Sequence, residues 1–172
     1  MRLQLERRPC PIATLLLVTD EEGILRGLEF ADHEARMHRL LRSHYGDHSL
    51  KDDAAPRAIT DALDAYFEGE TDALDKISVA TNGTSFQRQV WKALREIPTG
   101  TTITYGTLAA NVGRPSASRA VGAANGANPI AIVVPCHRVI GANGTLTGYA
   151  SGLEHKKWLL NHEQQHAPVL AG

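Results

Sequence analysis

The chain has 172 residues, an apolar fraction of 42% and a formal net charge of −1, which suits one ordinary domain or two small ones and excludes a disordered tail. No apolar run is long enough to span a bilayer, and the N-terminus lacks the basic, apolar and small-residue succession of a secretory signal, so a cytoplasmic location without a membrane partner is expected. Two cysteines far apart and outside any CxxC pattern read as free thiols in a reducing compartment.

In chain order, residues 15–18 and 23–30 read as two strands around the turn 19–23, hence a hairpin. Residues 32–45 carry Ala35, Met37, Leu40 and Leu41 at the spacing of a short amphipathic helix rich in His and Arg. The polar stretch 46–56 is expected to be a loop. Ala58, Ile59, Ala62, Leu63, Ala65, Tyr66 and Phe67 then form a helical stripe that Gly69 closes. A boundary near residues 80–83 divides the chain into an α/β scaffold, 1–80, and a second unit, 83–172. Thr84 or Ser85 is a suitable N-cap for a helix with Phe86, Val90, Leu94 and Ile97 on its apolar face, closed by Pro98 and Gly100. Residues 107–112 and 116–125 predict two short helices about the turn 113–115, either a helix-turn-helix or an ordinary helical hairpin. The β-branched run before Pro135 predicts a buried strand that ends there, because proline donates no ladder hydrogen bond.

The net charge hides an asymmetry. Residues 1–82 carry ten Lys/Arg against sixteen Asp/Glu, and residues 83–172 carry eight against three, giving −6 and +5. A polyanion is drawn to the second half, which agrees with nucleic-acid binding; an uneven spread of solvated charge is the bland alternative. Cys10 with His33, His38, His44 and His48 raises zinc for the first half, but their spacing gives no ligand set and surface or packing roles are expected. No metal and no cofactor are expected.

The most informative stretch sets Cys136 beside His137 at the end of the run 132–134. A cysteine attacks as its thiolate, and a neighbouring imidazole can accept its proton directly or through water. Alone, such a pair more often marks a small buried hydrophobe and an incidental neighbour. Its surroundings change that reading: Arg119-Ala-Val-Gly-Ala-Ala-Asn-Gly-Ala-Asn128-Pro129 upstream, and Gly141-Ala-Asn-Gly-Thr-Leu-Thr-Gly-Tyr149-Ala150-Ser151-Gly152 and Trp158-Leu-Leu-Asn-His-Glu163 downstream. In order and spacing, residues 85–163 resemble the 6-O-alkylguanine-DNA alkyltransferases, the methylated-DNA-[protein]-cysteine S-methyltransferases, in their bacterial single-cysteine form.

That resemblance implies an α/β (α+β) chain: a ribonuclease H-like N-terminal domain and a mostly helical, winged-helix or helix-turn-helix DNA-binding domain. It implies a stoichiometric, irreversible transfer of a methyl or other alkyl group from 6-O-alkylguanine, with 4-O-alkylthymine as a second lesion, to Cys136. His137 would activate the thiol through a bridging water, Glu163 would hold His137, Tyr105 would hydrogen-bond the extruded base, and Asn128 would tie the turn around the cysteine to the recognition helix. Backbone groups of Val139 and Ala150 would face the guanine, with Tyr149 and Ser151 in the pocket wall; Ser151 stands where many relatives have glycine. The partner is double-stranded DNA containing alkylated bases, bound by a monomer, with clustering on DNA left open.

The second helix supports the DNA reading on its own composition. Ala117, Ser118, Arg119 and Gly122 offer few side chains able to read base edges, whereas small residues let a helix approach the sugar-phosphate backbone closely. By the resemblance this helix docks in the minor groove and Arg119 fills the space of the flipped nucleotide; Ser118 replaces a frequent alanine. Arg114 and Gln87 are expected to join the DNA contact. Three rivals remain: a noncatalytic alkyl-lesion recognition protein, which should lack the cysteine; a helix-turn-helix regulator, which should carry base-reading side chains; and a thiol hydrolase, which should turn over and lack the Arg119 helix.

Overall fold

The computed structural model describes residues 1–146 and 148–167. Strands β1 (Arg2–Pro9), β2 (Thr14–Asp20), β3 (Leu25–Phe30) and β4 (Ser49–Asp52) form one sheet in the order β3-β2-β1-β4. The first three strands are antiparallel and β4 lies parallel to β1. Alternation splits the apolar run of β2 between two faces. Leu16 and Val18 join Leu3, Leu5, Met37 and Leu41 under α1 (Glu34–Tyr45), while Leu15 and Leu17 enter the main core.

That main core takes in α2 (Arg57–Glu68) through Ile59, Leu63 and Tyr66, and continues into the second half through Val90, Leu94, Leu108, Val121 and Leu159. The second half consists of α3 (Ser85–Arg95), α4 (Tyr105–Asn111), α5 (Ser118–Gly126) and α6 (Leu153–His166), with the two-residue strands β5 (Ile103–Thr104) and β6 (Val139–Ile140) paired in parallel. Thr84 and Gln87 close a reciprocal capping box at the start of α3. The indole Nε1–H of Trp91 donates to the Ala124 carbonyl at 2.8 Å and fixes α3 against α5. Among the described residues, no helix is long and apolar enough to cross a membrane.

The structure corrects several expectations. The polar stretch 46–56 contains β4, whose single apolar residue, Leu50, carried too weak a pattern to show; its pairing with β1 defines it. Strand β1 itself was not anticipated, although Leu3 and Leu5 alternate. Helix α4 starts at Tyr105, two residues early, and α5 starts at Ser118, two residues late.

The largest correction concerns residues 130–134, which form a tight turn and not a strand. Val133 N–H donates to the Ala131 carbonyl at 2.8 Å around Ile132, whose φ is +70°. This is a γ-turn of the rare, positive-φ kind, strained for a β-branched residue by about 1–3 kcal/mol. A second such bond, Cys136 N–H to the Val134 carbonyl at 2.8 Å, encloses Pro135. The turn is docked on β3 by Leu28 N–H to the Pro129 carbonyl and Ala131 N–H to the Leu28 carbonyl, both 3.0 Å.

Candidate active site

Asn128 is the organiser of that turn. Its Oδ1 accepts from Ile130 N–H at 3.0 Å, and its Nδ2 donates to the Val134 carbonyl at 2.8 Å and to the Cys136 Sγ at 3.1 Å. Asn125, on α5, donates to the Cys136 carbonyl at 3.4 Å. One wholly buried amide therefore bends the chain and touches the sulfur it presents. Cys136 opens a 3₁₀ turn, Cys136–Arg138, and is only 6% exposed. Burial pushes its thiol up from the ordinary value, while the Asn128 hydrogen bond and the Arg36 charge pull the other way. The resting sulfur is a thiol that ionises only when a base accepts its proton.

His137 and Glu163 are fully buried and 2.7 Å apart, Nε2 to Oε2. The carboxylate accepts three further bonds that its sequence position did not reveal: from Arg138 Nε at 2.7 Å, Arg138 Nη2 at 3.1 Å and Tyr66 Oη at 2.7 Å. Arg138 also donates to the Ile97 carbonyl at 2.7 Å. Burial works against ionisation of Glu163, but His137 and Arg138 outweigh it and hold the carboxyl far below the usual carboxylate range. An acceptor-only carboxylate requires the proton of a neutral His137 to sit on Nε2. Burial lowers the His137 pKa and keeps the ring neutral. Its Nδ1 is buried and meets no hydrogen-bond partner among the described residues. The ring thus offers one unoccupied lone pair, the requirement for a general base.

Above the sulfur lies a small cavity lined by Arg36, Asn128, Cys136, Tyr149, Ala150 and Ser151, with a volume of about 10 Å³. It accommodates about one water molecule. Ser151 is buried and Ala150 exposed. The Tyr149 hydroxyl is buried beside the thiol, and burial with the neighbouring sulfur raises its pKa well above the phenol value. Val139 is buried in β6, and its carbonyl accepts from the buried Lys156 Nζ at 2.8 Å. One lone pair of that carbonyl is therefore engaged.

Arg36 is the residue that sequence reading passed over. One of the arginines of the amphipathic helix α1, it has a largely buried side chain. Its Nη1 donates to Glu29 at 2.7 Å, and its Nη2 to the Gly126 and Asn128 carbonyls at 2.8 and 3.0 Å. It joins the first half to the C-terminus of α5 and places a positive charge at the thiol. No helical spacing contains that information; Glu29, set between Leu28 and Phe30 and buried with them, needs a cation and was the available hint.

The remaining residues divide into two groups. Arg119, Ser118 and Arg114 are exposed at the N-terminal end of α5 and the turn before it, with Ala117 half-buried at the N-cap. Arg114 lies over the Phe86 ring at 5.2 Å. Gly122 faces Tyr105: a Cβ there would stand 3.7 Å from the phenol ring, so the two helices meet at a residue with no side chain. Tyr105 is half-buried as the first residue of α4, held by the Thr104 cap. Gln87 belongs to the capping box, its Oε1 accepting from Thr84 N–H at 3.0 Å, and only its amide NH₂ is left for another partner. Cys10 is a free, half-buried thiol packed against the main core.

Comparison with known proteins agrees with this geometry. The model of the 6-O-methylguanine DNA methyltransferase DNA-binding domain matches residues 85–165, and that of the ribonuclease-like domain of the same proteins matches residues 8–81. The methylated-DNA--protein-cysteine methyltransferase of Salmonella typhimurium is 52% identical over 165 residues, covering 95% of this chain and 96% of its own. The crystal structure of the Mycobacterium tuberculosis O6-methylguanine methyltransferase superposes with a TM-score of 0.80 at 39% identity, covering 98% of this chain and 96% of that one. A structure of the same M. tuberculosis protein in complex with DNA gives 0.79 at 40% identity, with the same coverage. On these matches and the site they enclose, the chain belongs to the 6-O-methylguanine DNA methyltransferase family.

Proposed function

We propose that this protein repairs DNA by moving the alkyl group of a 6-O-alkylguanine onto its own Cys136 sulfur, once per chain. The observation that carries this reading is the arrangement around the thiol. Its sulfur is held by Asn128, and its neighbour His137 has one ring nitrogen committed to Glu163 and the other unpaired. The small-residue, cation-bearing end of α5 forms the exposed face of the same half.

In the proposed sequence, α5 enters the minor groove and Arg119 takes the place of the extruded nucleotide, because the reactive carbon is unreachable inside the duplex. The segment 148–151 opens to admit the base. His137 Nδ1 takes the thiol proton, directly or through a water, and Glu163 with its fixed negative charge stabilises the imidazolium. The thiolate attacks the alkyl carbon in line with the carbon–oxygen bond; a sulfur–carbon bond forms as that bond breaks and its electron pair leaves on the guanine oxygen. The Tyr105 phenol stabilises this leaving group by hydrogen bonding. Water does not cleave the thioether at useful rates, so the chain is consumed. 4-O-alkylthymine presents the same alkyl–oxygen bond and is a second substrate in this reading. The alkylated base in duplex DNA is the specific partner, and a monomer suffices because every group named lies on one chain. Residues 1–80 serve as the scaffold of the functional unit 83–172, with Arg36 as the exception that reaches across.

The test is Cys136→Ala. It should bind a duplex carrying 6-O-methylguanine with unchanged affinity and remove no methyl group. Transfer by that variant would overturn the mechanism.

A further inference from the structure

Three side chains outside this chemistry meet on the far side of the pocket segment. Asp32 and His33 come from the 3₁₀ turn Ala31–His33 that leads into α1, and His155 from the first turn of α6. One carboxylate oxygen and one nitrogen from each ring lie within 4.8 Å of one another. The His155 Nε2 is 3.1 Å from Asp32 Oδ2 and the His33 Nε2 is 3.7 Å from the same oxygen. A tetrahedral ion with bonds of about 2.1 Å separates its ligand atoms by about 3.4 Å, so both measured separations fall within a few tenths of an ångström of two ligand edges.

Two features prepare the place. The His155 ring lies flat on Phe30, with centroids 3.9 Å apart and planes 3° from parallel, and stands at 76° to the His33 ring. One ligand is thus held by a core residue. Gly152, at φ +102°, leaves the space beside the nitrogens open: a Cβ there would stand 3.2 Å from His33 Nε2 and 3.1 Å from His155 Cδ2. Two imidazoles and one carboxylate suit a borderline cation of the zinc class and suit magnesium or calcium poorly, since those ions take oxygen ligands.

We propose that Asp32, His33 and His155 bind one zinc-class divalent ion, which fastens the start of α6, and with it the Gly152 end of the pocket segment, to the turn before α1. The ion competes with the His155–Asp32 hydrogen bond, so any proton on His155 Nε2 is released as the metal enters. The fourth ligand position is left to solvent. Because the ligands span 123 positions of sequence, an ion bound only to the folded chain stabilises it by mass action.

The test uses the full chain, stripped with a chelator and dialysed against Zn²⁺, with Co²⁺ as the spectroscopic probe. One equivalent of zinc should be retained and should raise the melting temperature. His155→Gln and, separately, Asp32→Asn should weaken retention by at least about tenfold and abolish the thermal shift. Both variants should still transfer alkyl groups without metal, which shows that they fold. The Co²⁺ complex should give tetrahedral bands without a thiolate charge-transfer band. Three results would each overturn the proposal: no zinc retained, equal retention by wild type and both variants, or a thiolate band that disappears in Cys136→Ser, which places the metal on the cysteine.

Discussion

The two surfaces that flank Cys136 are built on opposite principles. Behind it, Glu163, His137, Arg138 and Tyr66 form a dry network in which every charge is opposed and nearly every lone pair used. In front of it, the leading end of α5 offers Ser118 and Arg119 to solvent, with Ala117 half-buried between them and the core. The first surface holds one proton and one sulfur within tenths of an ångström; the second, in the function proposed above, meets a duplex through its sugar-phosphate backbone. Precision is purchased with buried charge that is costly to disturb, and generality with small residues that are cheap to change. Substitutions on the two sides should therefore separate stability from DNA handling.

The largest effect is expected at Glu163. Glu163→Ala leaves Arg138 buried without its carboxylate and should lower unfolding free energy by about 3–5 kcal/mol, read by denaturant titration, with transfer lost as well. The same residue sets an acid limit. Its folded pKa lies below the ordinary value of 4.5, so its stabilisation is complete above pH 4.5 and is lost as pH falls below it. Stability measured from pH 7 to pH 3 should lose this contribution only below about pH 4.5, and the decline there should be shallower in Glu163→Gln. An identical slope in the variant would mean that other carboxylates set the acid limit.

Asn128→Ala comes next. It orphans the buried Ile130 N–H, at about 1–3 kcal/mol for a buried group left unpaired, and takes from the Val134 carbonyl one of its two donors, leaving it the Cys136 N–H. It also removes the hydrogen bond that opposes the burial-raised thiol pKa, so the alkaline limb of the transfer rate should move to higher pH. A stability loss without that movement would reduce Asn128 to a turn former.

The smallest effect on stability is expected at Arg119. Arg119→Ala should change unfolding free energy by no more than about 0.5 kcal/mol, yet slow transfer from duplex DNA while leaving transfer from a free 6-O-alkylguanine base unchanged. Equal slowing on both substrates would place Arg119 in the chemistry and not in extrusion.

The same contrast explains what the sequence disclosed. The α2 stripe, the α3 cap and the β2–β3 hairpin follow local periodicity and capping rules, and they stand where those rules put them. Cys136, His137 and Glu163 were identified through the resemblance, and the distances then gave them geometry. What escaped was non-local or contrary to propensity. Tyr66 reaches Glu163 across 97 positions and Arg36 reaches the Asn128 carbonyl across 92, separations that no spacing rule connects. Residues 130–134 have the composition of a buried strand, but the Asn128 hydrogen bonds and the positive φ of Ile132 fold them into a turn. Tertiary bonds override β propensity there because the turn presents the sulfur.

The most direct test of the central claim is intact-protein mass spectrometry with peptide mapping, after incubation with a duplex carrying one 6-O-methylguanine. The account predicts a single added methylene mass on the Cys136 peptide, approached stoichiometrically and never exceeded. An unmodified protein that still binds the lesion duplex would contradict it and leave a recognition protein in its place.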